Sequence, residues 1–439
     1  MRARTFLAVP TALLMGTLGL AACGGDSSGG GSGGGGSSGG GGKPVTMTLW
    51  HNATQGPGAA FWVKTVNDYH AAHPNVTVKI QVIQNEDLDG KLQTAMNAGT
   101  GPDIFLQRGG GKEAAMMQAG QLMDITGAIT PDTKRLLGEA SLGSQTIDGK
   151  VWALPLGMLP GGFFYSKDVF AKAGITTPPA TIDDLNSAVT KLKATGVSPI
   201  ALGGKDAWPA AHYYYFFALR ECSSKEITDT AKNLSFTDPC WVKAGEDLQK
   251  LSQTKPFNPG FLTTSAQQGA GSSAGLVANH KAGMELMGAW DPGVIASLTP
   301  NQKPLPDLDW FPFPGVSGGG GAPGSMLGGI DGMSCNAKAD KVECPAFLNY
   351  LASTPVQEAN YKAFNSPPLN SEAQKIVTEP YLKSIIETYQ KAPFVSEWLD
   401  TVYGQNIGNA LNVAVVDLLA GKKDPAAIVK AVQDSAKKS

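Results

Sequence analysis

Trp50, Asn52, Asn85, Gln107 and Arg108 bring together a flat apolar face, planar amides and a forked cation. Each lies just where a short apolar run gives way to polar residues. Such a set suits reversible recognition of a polyhydroxylated ring. The indole covers C–H faces, while amides and a guanidinium pair with neighbouring hydroxyls. Nothing in a site of this kind has to change its protonation state. His51 shares the turn with Asn52 and joins the candidates. Core packing is the competing reading of Trp50, and a local salt bridge is that of Arg108.

Bond-breaking chemistry has little support. Gly315-Val-Ser-Gly-Gly319 matches a nucleophile-elbow pattern, which requires a preceding strand and a following helix. Pro312, Pro314 and Pro323 flank it within a glycine tract, so it reads as a loop. His70 and His73 lack the His-Glu-x-x-His arrangement of a zinc protease. Gly109 to Lys112 looks like part of a phosphate loop, but Leu106 replaces its first glycine and Glu113 its Ser/Thr. Glycoside hydrolysis needs two carboxylates at a set separation, and no pair stands out. No metal or cofactor is expected.

The elements that must position these groups follow in order. Val45 to Trp50 alternates as a strand, and Trp62, Val66 and Tyr69 predict a helix that Pro74 ends. Val76 to Ile83 reads as a second strand, 89–98 as a helix, and Gly101 to Leu106 as a third strand. Strand, helix, strand, helix, strand is the pattern of a parallel sheet, which gathers ligands at the carboxyl ends of its strands. Further on, 152–157 and 162–166 read as two strands and 182–194 as a helix capped by Thr181 and Asp184. Another helix carries Trp241, Ala244, Leu248 and Leu251. Trp62, Trp241 and Trp310 read as packing residues, and Tyr403 and Gln405 as weaker candidates for the site's far wall.

Net charge is −2, and loss of Arg2 and Arg4 with a leader would make it −4, without any long basic block, which argues against nucleic acid as a partner. Residues 1–22 read as a secretory leader: a basic start, an apolar run broken by Pro10, and small residues before Cys23. Residues 24–42 are almost only Gly and Ser, a flexible tether with a reach of roughly 24 Å. Cys222, Cys240, Cys335 and Cys344 allow three pairings. The local pairs Cys222–Cys240 and Cys335–Cys344 are preferred, and the spacings do not match a zinc site.

Several segments resemble the family 1 extracellular solute-binding proteins, the sugar-binding lipoproteins of bacterial ABC importers. They are Leu49-Trp-His51, Gly101-Pro-Asp-Ile-Phe105, Ala153-Leu-Pro-Leu156, Gly162 to Gly174 and Met287-Gly-Ala-Trp-Asp-Pro-Gly293. Leu20-Ala-Ala-Cys23 resembles a lipobox, which implies lipidation of Cys23. Gln107-Arg-Gly-Gly-Gly111 is similar to the subgroup that takes up xylo-oligosaccharides.

The resemblance implies a two-lobed periplasmic-binding-protein-like α/β fold of type II, each lobe a mostly parallel sheet flanked by helices. Residues 44–156 and 326–365 would form lobe one, and 157–325 and 366–439 lobe two, after a leader at 1–22 and a lipidated linker at 23–43. It also adds Trp208, His212, Trp290 and Asp331 to the candidate site, with Trp290 as a stacking residue. The implied protein is a monomer, exported and lipid-anchored to the outer face of the cytoplasmic membrane. It captures an oligosaccharide, xylobiose or a longer xylo-oligosaccharide first, and delivers it to an ABC permease. A membrane-anchored glycoside hydrolase and another kind of cell-surface binding protein are the alternatives.

Overall fold

The computed structural model describes residues 43–438. The expected leader at 1–22, the expected lipidation at Cys23 and the Gly/Ser tract lie outside these residues. Among the described residues no helix is long and apolar enough to cross a membrane.

Among the described residues there are eleven strands: β1 Val45–His51, β2 Val76–Val82, β3 Ile104–Gln107, β4 Thr146–Ile147, β5 Lys150–Val151, β6 Leu154–Ser166, β7 Ser198–Ala201, β8 Ala282–Gly288, β9 Leu308–Phe311, β10 Met326–Cys335 and β11 Val395–Ser396. β4 and β5 form a separate hairpin, and the others join in the order β2-β1-β3-β10-β6-β8-β7, with β11 on β10 and β9 on β6. β1 is parallel to β2 and β3, and β7 to β8, as helical crossovers require. The two long strands, β6 and β10, run antiparallel to their main-sheet neighbours.

β6 holds the architecture together. Its first half pairs with β10, and its second half pairs with β8 and β9. Leu154, Leu156 and Met158 enter a core with Met47, Leu49, Trp62 and Phe347. Phe163 and Tyr165 enter another with Leu185, Tyr213, Trp241 and Leu411. β10 divides likewise, with Ile330 and Met333 in the first core and Leu327 in the second. The sequence reading gave two strands, 152–157 and 162–166, where β6 is one. The strand is continuous because Pro155 sits opposite Gly332 where the ladder shifts register, a place where a missing N–H is tolerated.

Local rules account for most elements. In β1, Met47, Leu49 and His51 are buried while Trp50 is half-buried, the alternation of a sheet covered mainly on one face. Helix Gly56–Ala72 buries Phe61, Trp62, Thr65, Val66 and Tyr69 on one stripe. Helix Ile182–Ala194 carries the Thr181–Asp184 capping box. The second helix begins at Asn85, four residues before the predicted start at Asp89. Glu86 and Asp87 in its first turn favour the positive end of the helix dipole. Asn85 is therefore a helical residue rather than part of a turn.

Both local disulfides are present, Cys222–Cys240 and Cys335–Cys344, at sequence separations of 18 and 9. Opening the first with a Cys222→Ala/Cys240→Ala double substitution is expected to cost about 3 kcal/mol. Denaturant unfolding under non-reducing conditions checks this, and an unchanged midpoint would show that the unfolded chain is not constrained by the bridge.

Candidate binding site

The polar half of the site is built where β1, β2 and β3 end. Asn52 follows β1, Asn85 opens the helix after β2, and Arg108 follows β3. Asn52 Nδ2 donates to Asn85 Oδ1 at 2.8 Å, and the same oxygen accepts from Arg108 Nη2 at 2.6 Å. Arg108 Nη1 reaches Asp331 at 3.0 Å and its Nε reaches Asp89 at 3.4 Å, while Lys112 binds Asp89 at 2.7 Å. Asp331 comes from the middle of β10, so a strand of the crossing pair contributes directly. The Arg108 and Asp331 side chains are only 18% and 19% exposed. Low exposure strengthens each contact and makes the loss of any partner costly.

Gln107 is a strut beneath this network. It is 2% exposed, its Oε1 accepts from the Arg108 N–H at 3.0 Å, and its Nε2 faces Ser334 Oγ at 3.4 Å. His51 lies deeper still, 1% exposed and stacked on Trp62 at 5.0 Å, with Nδ1 accepting from the Ala53 N–H. Burial lowers its pKa to about 4, so the ring is neutral. Trp50 packs against the small cluster of Leu92, Met96, Phe105 and Leu122. His51 and Trp50 thus sit in packing environments.

The aromatic half is built at helix starts. Trp290 immediately precedes helix Asp291–Leu298 after β8, and Trp208 opens helix Trp208–Glu221, which also carries His212. Trp290 lies 6.1 Å from Trp208 and 5.6 Å from Trp398, and His212 stacks on Trp398 at 4.1 Å. Gly288 makes this possible, since a Cβ there would fall 1.9 Å from the Trp290 ring. Gly329 in β10 does the same for the segment after β11, where a Cβ would meet Glu397 Oε1 at 2.0 Å. The Trp290 and Trp398 indole N–H groups have no hydrogen-bond partner within the described residues. His212 is buried, which lowers its pKa to about 3, so it acts as a flat neutral ring.

Two carboxyls connect the halves. Burial, and then the neighbouring Asp331, raise Glu397 to about 8. Glu86 neighbours Asp206 and Trp208; burial raises its pKa most, with the Asp206 and Asp87 charges adding to it. The contacts therefore close a ring: Asn85 and Glu86, Trp208, Trp290, Trp398 and Glu397, Asp331, Arg108, and back to Asn85. Gln268 Nε2 also donates to Gln84 Oε1 at 3.0 Å, beside the start of the same helix. One side of the ring offers indole faces, the other amides, carboxyls and a guanidinium.

Of the candidates read from sequence, Asn52, Asn85, Arg108 and Asp331 meet in one network, and Trp208, His212 and Trp290 meet in one cluster. Tyr403 is buried against Phe236 and Trp241, and Gln405 opens a helix where its Nε2 faces Asn409 at 3.4 Å. Sequence reasoning passed over Glu86, Asp89, Lys112, Glu397 and Trp398. A signal did exist for the last two: a Trp beside a Glu in the Pro- and Ser-containing break Pro393–Trp398 between two helices.

The family model for bacterial extracellular solute-binding proteins matches residues 52–358. The chain belongs to this family. A putative binding protein of Brucella abortus is 30% identical over 167 residues, which span 38% of this chain and 40% of that protein. The diacetylchitobiose binding protein of Streptomyces coelicolor is 25% identical over 447 residues, covering 99% of this chain and 97% of that one. A solved structure from work on xylan utilization by Caldanaerobius polysaccharolyticus superposes with a TM-score of 0.81 at 24% identity, covering 89% of this chain and 99% of that one. The fold is therefore that of the solute-binding proteins, with α/β layers on both sides of the β6–β10 pair.

Buried acids give the protein a pH signature. Glu113, whose carboxyl oxygens have no hydrogen-bond partner among the described residues, is raised by burial to about 8, as Glu397 is. Both titrate near 4.5 when unfolded, so the folded chain binds more protons between pH 4.5 and 8. Their contribution to stability is fully present below that window and falls as pH rises through it, while His51 and His212, with lowered values, contribute in the opposite sense only up to about pH 6.5. Thermal unfolding at pH 5.5 and 8.0 is expected to show a loss on the order of 1–3 kcal/mol. Glu113→Gln is expected to reduce that loss, and equal slopes for the two proteins would contradict a buried acid at 113.

Proposed function

We propose that this solute-binding protein is the capture component of a carbohydrate ABC importer, holding a short oligosaccharide between two lobes. The observation that carries the reading is the ring itself, with three indoles facing a hydrogen-bonding network of amides, carboxyls and Arg108. The lobes are 44–156 with 326–365 and 157–325 with 366–439; that β6 and β10 each enter both cores supports two lobes joined by these strands, with Met158 and Leu327 reaching across the stated bounds. Ligand touching both halves stabilises the closed arrangement by its greater affinity for it. The Gln84–Gln268 hydrogen bond and the Glu86–Trp208 approach link the two halves in the same sense.

Xylobiose and longer xylo-oligosaccharides are the first ligands to test, and diacetylchitobiose, named for the Streptomyces relative, is the second. Lipidation of Cys23 would hold the monomeric protein at the outer face of the cytoplasmic membrane, beside its permease. The linker would leave the folded part free to rotate and dock. A carbohydrate receptor needs no turnover. Incubation with xylo-oligosaccharides tests the class: saturable quenching or enhancement of tryptophan fluorescence without new reducing ends supports a receptor. New reducing ends would make it a hydrolase.

A further inference from the structure

The charges around the ring are unevenly matched. Glu86, Asp89, Asp206, Asp331 and Glu397 are carboxyls, and Arg108 and Lys112 are the cations among them. Both cations are already committed. Arg108 is engaged by Asp89, Asp331 and Asn85, and Lys112 by Asp89. Neither is left as a free partner for an incoming anion. The other carboxyls sit on both sides of the aromatic faces, Glu86 with Asp206 near Trp208, and Glu397 beside Trp398 and close to Asp331.

We propose that the cleft sorts saccharides by charge, accepting neutral and amine-bearing oligosaccharides and excluding those that carry a carboxylate. This rests on the saccharide-receptor reading above and names the chemical class its site takes. A uronate placed among these groups gains no free cation, because Arg108 and Lys112 are held by Asp89 and Asp331, and it meets Glu86 and Asp206, which stand in no salt bridge among the described residues, in a partly desolvated site. Like-charge approach of that kind is strongly unfavourable. An ammonium meets the opposite situation. It gives Glu86 and Asp206 a partner, and Glu397, raised by burial to about 8 and so holding its proton at pH 7, gives that proton up as the ammonium binds beside it. A neutral sugar does neither, and its hydroxyls pair with the same carboxyls as donors.

The test uses matched pairs at pH 7 by calorimetry: xylotriose against xylotriose bearing one glucuronic acid, and diacetylchitobiose against its fully deacetylated form. The uronate-bearing trimer is expected to bind at least tenfold more weakly than its parent. The free amine is expected to bind as tightly as its acetylated form or tighter, with heats that vary with the buffer's ionisation enthalpy because protons are released. Glu86→Gln, at the exposed rim of the ring, is expected to narrow the ratio for the first pair. Equal affinity for uronate and parent, or a ratio unchanged by Glu86→Gln, overturns charge sorting while leaving the receptor reading intact. Failure of every member of both pairs to bind overturns the receptor reading, and charge sorting with it.

Discussion

Replacing Arg108 by Ala is expected to weaken oligosaccharide binding by about 100-fold or more and to lower stability by about 2–3 kcal/mol. The reason is the number of groups that depend on it. Arg108 holds Asp331 from β10, Asp89 from the helix after β2, and the Asn85 oxygen that Asn52 shares. Without the guanidinium, Asp331 loses its cation, Asp89 keeps only Lys112, and the amides lose their fixed orientation. Asp89 now sits below the ordinary carboxylate range because Arg108 and Lys112 outweigh the effect of burial. Lysine at 108 would keep the charge but lose the fork, so Arg108→Lys is expected to recover part of the stability and little of the affinity. Calorimetry with a binding sugar, beside thermal unfolding, separates the two effects. Wild-type affinity in a folded Arg108→Ala protein would show that the network is structural only.

Trp290→Ala is expected to cost about 2–3 kcal/mol of binding energy, roughly 30- to 150-fold in affinity. Trp290 is the centre of the aromatic half, within 6.2 Å of Trp208, His212 and Trp398. It stands at a helix start after β8, and glycine at 288 leaves room for its ring. Gly288→Ala therefore offers a second variant: it leaves the indole in the chain but pushes it from its seat. Comparable losses from both substitutions are expected when binding is titrated in folded proteins. Unchanged affinity for Trp290→Ala would remove this residue from the site.

Much of the fold was legible because the relevant signals were local. Alternation in Val45–Trp50, the Thr181–Asp184 capping box and the spacing of Trp241, Ala244, Leu248 and Leu251 each determine one element from a few adjacent residues. β6 was less legible because Pro160-Gly161-Gly162 between its two halves carries no strand signal of its own, and a proline is ordinarily unfavourable inside a strand. Only the partner strand, with its register shift at Asp331 and Gly332, explains why Pro155 fits.

The site divides in the same way. Asn52, Asn85 and Arg108 were legible because parallel strands put ligand groups at their ends. Trp50 and His51 carried the same signal, yet one packs on Leu92 and Phe105 and the other on Trp62. Which face of a strand end points inward depends on helices that come later in the chain. Asp89 and Lys112 matter only as partners of Arg108, and Glu397 and Trp398 reach the ring from about 290 residues further along the chain than Arg108. Such residues become visible once β10 brings Asp331 and the segment beside β11 together.

The central claim is that the ring holds an oligosaccharide and does not transform it. Isothermal titration of the exported protein with xylobiose, longer xylo-oligosaccharides, arabino-, gluco- and galacto-oligosaccharides and diacetylchitobiose tests it most directly. The account predicts one saturable site for at least one of these sugars, with the sugar recovered intact. No binding heat from any of them, or recovery of cleaved sugar, would contradict it.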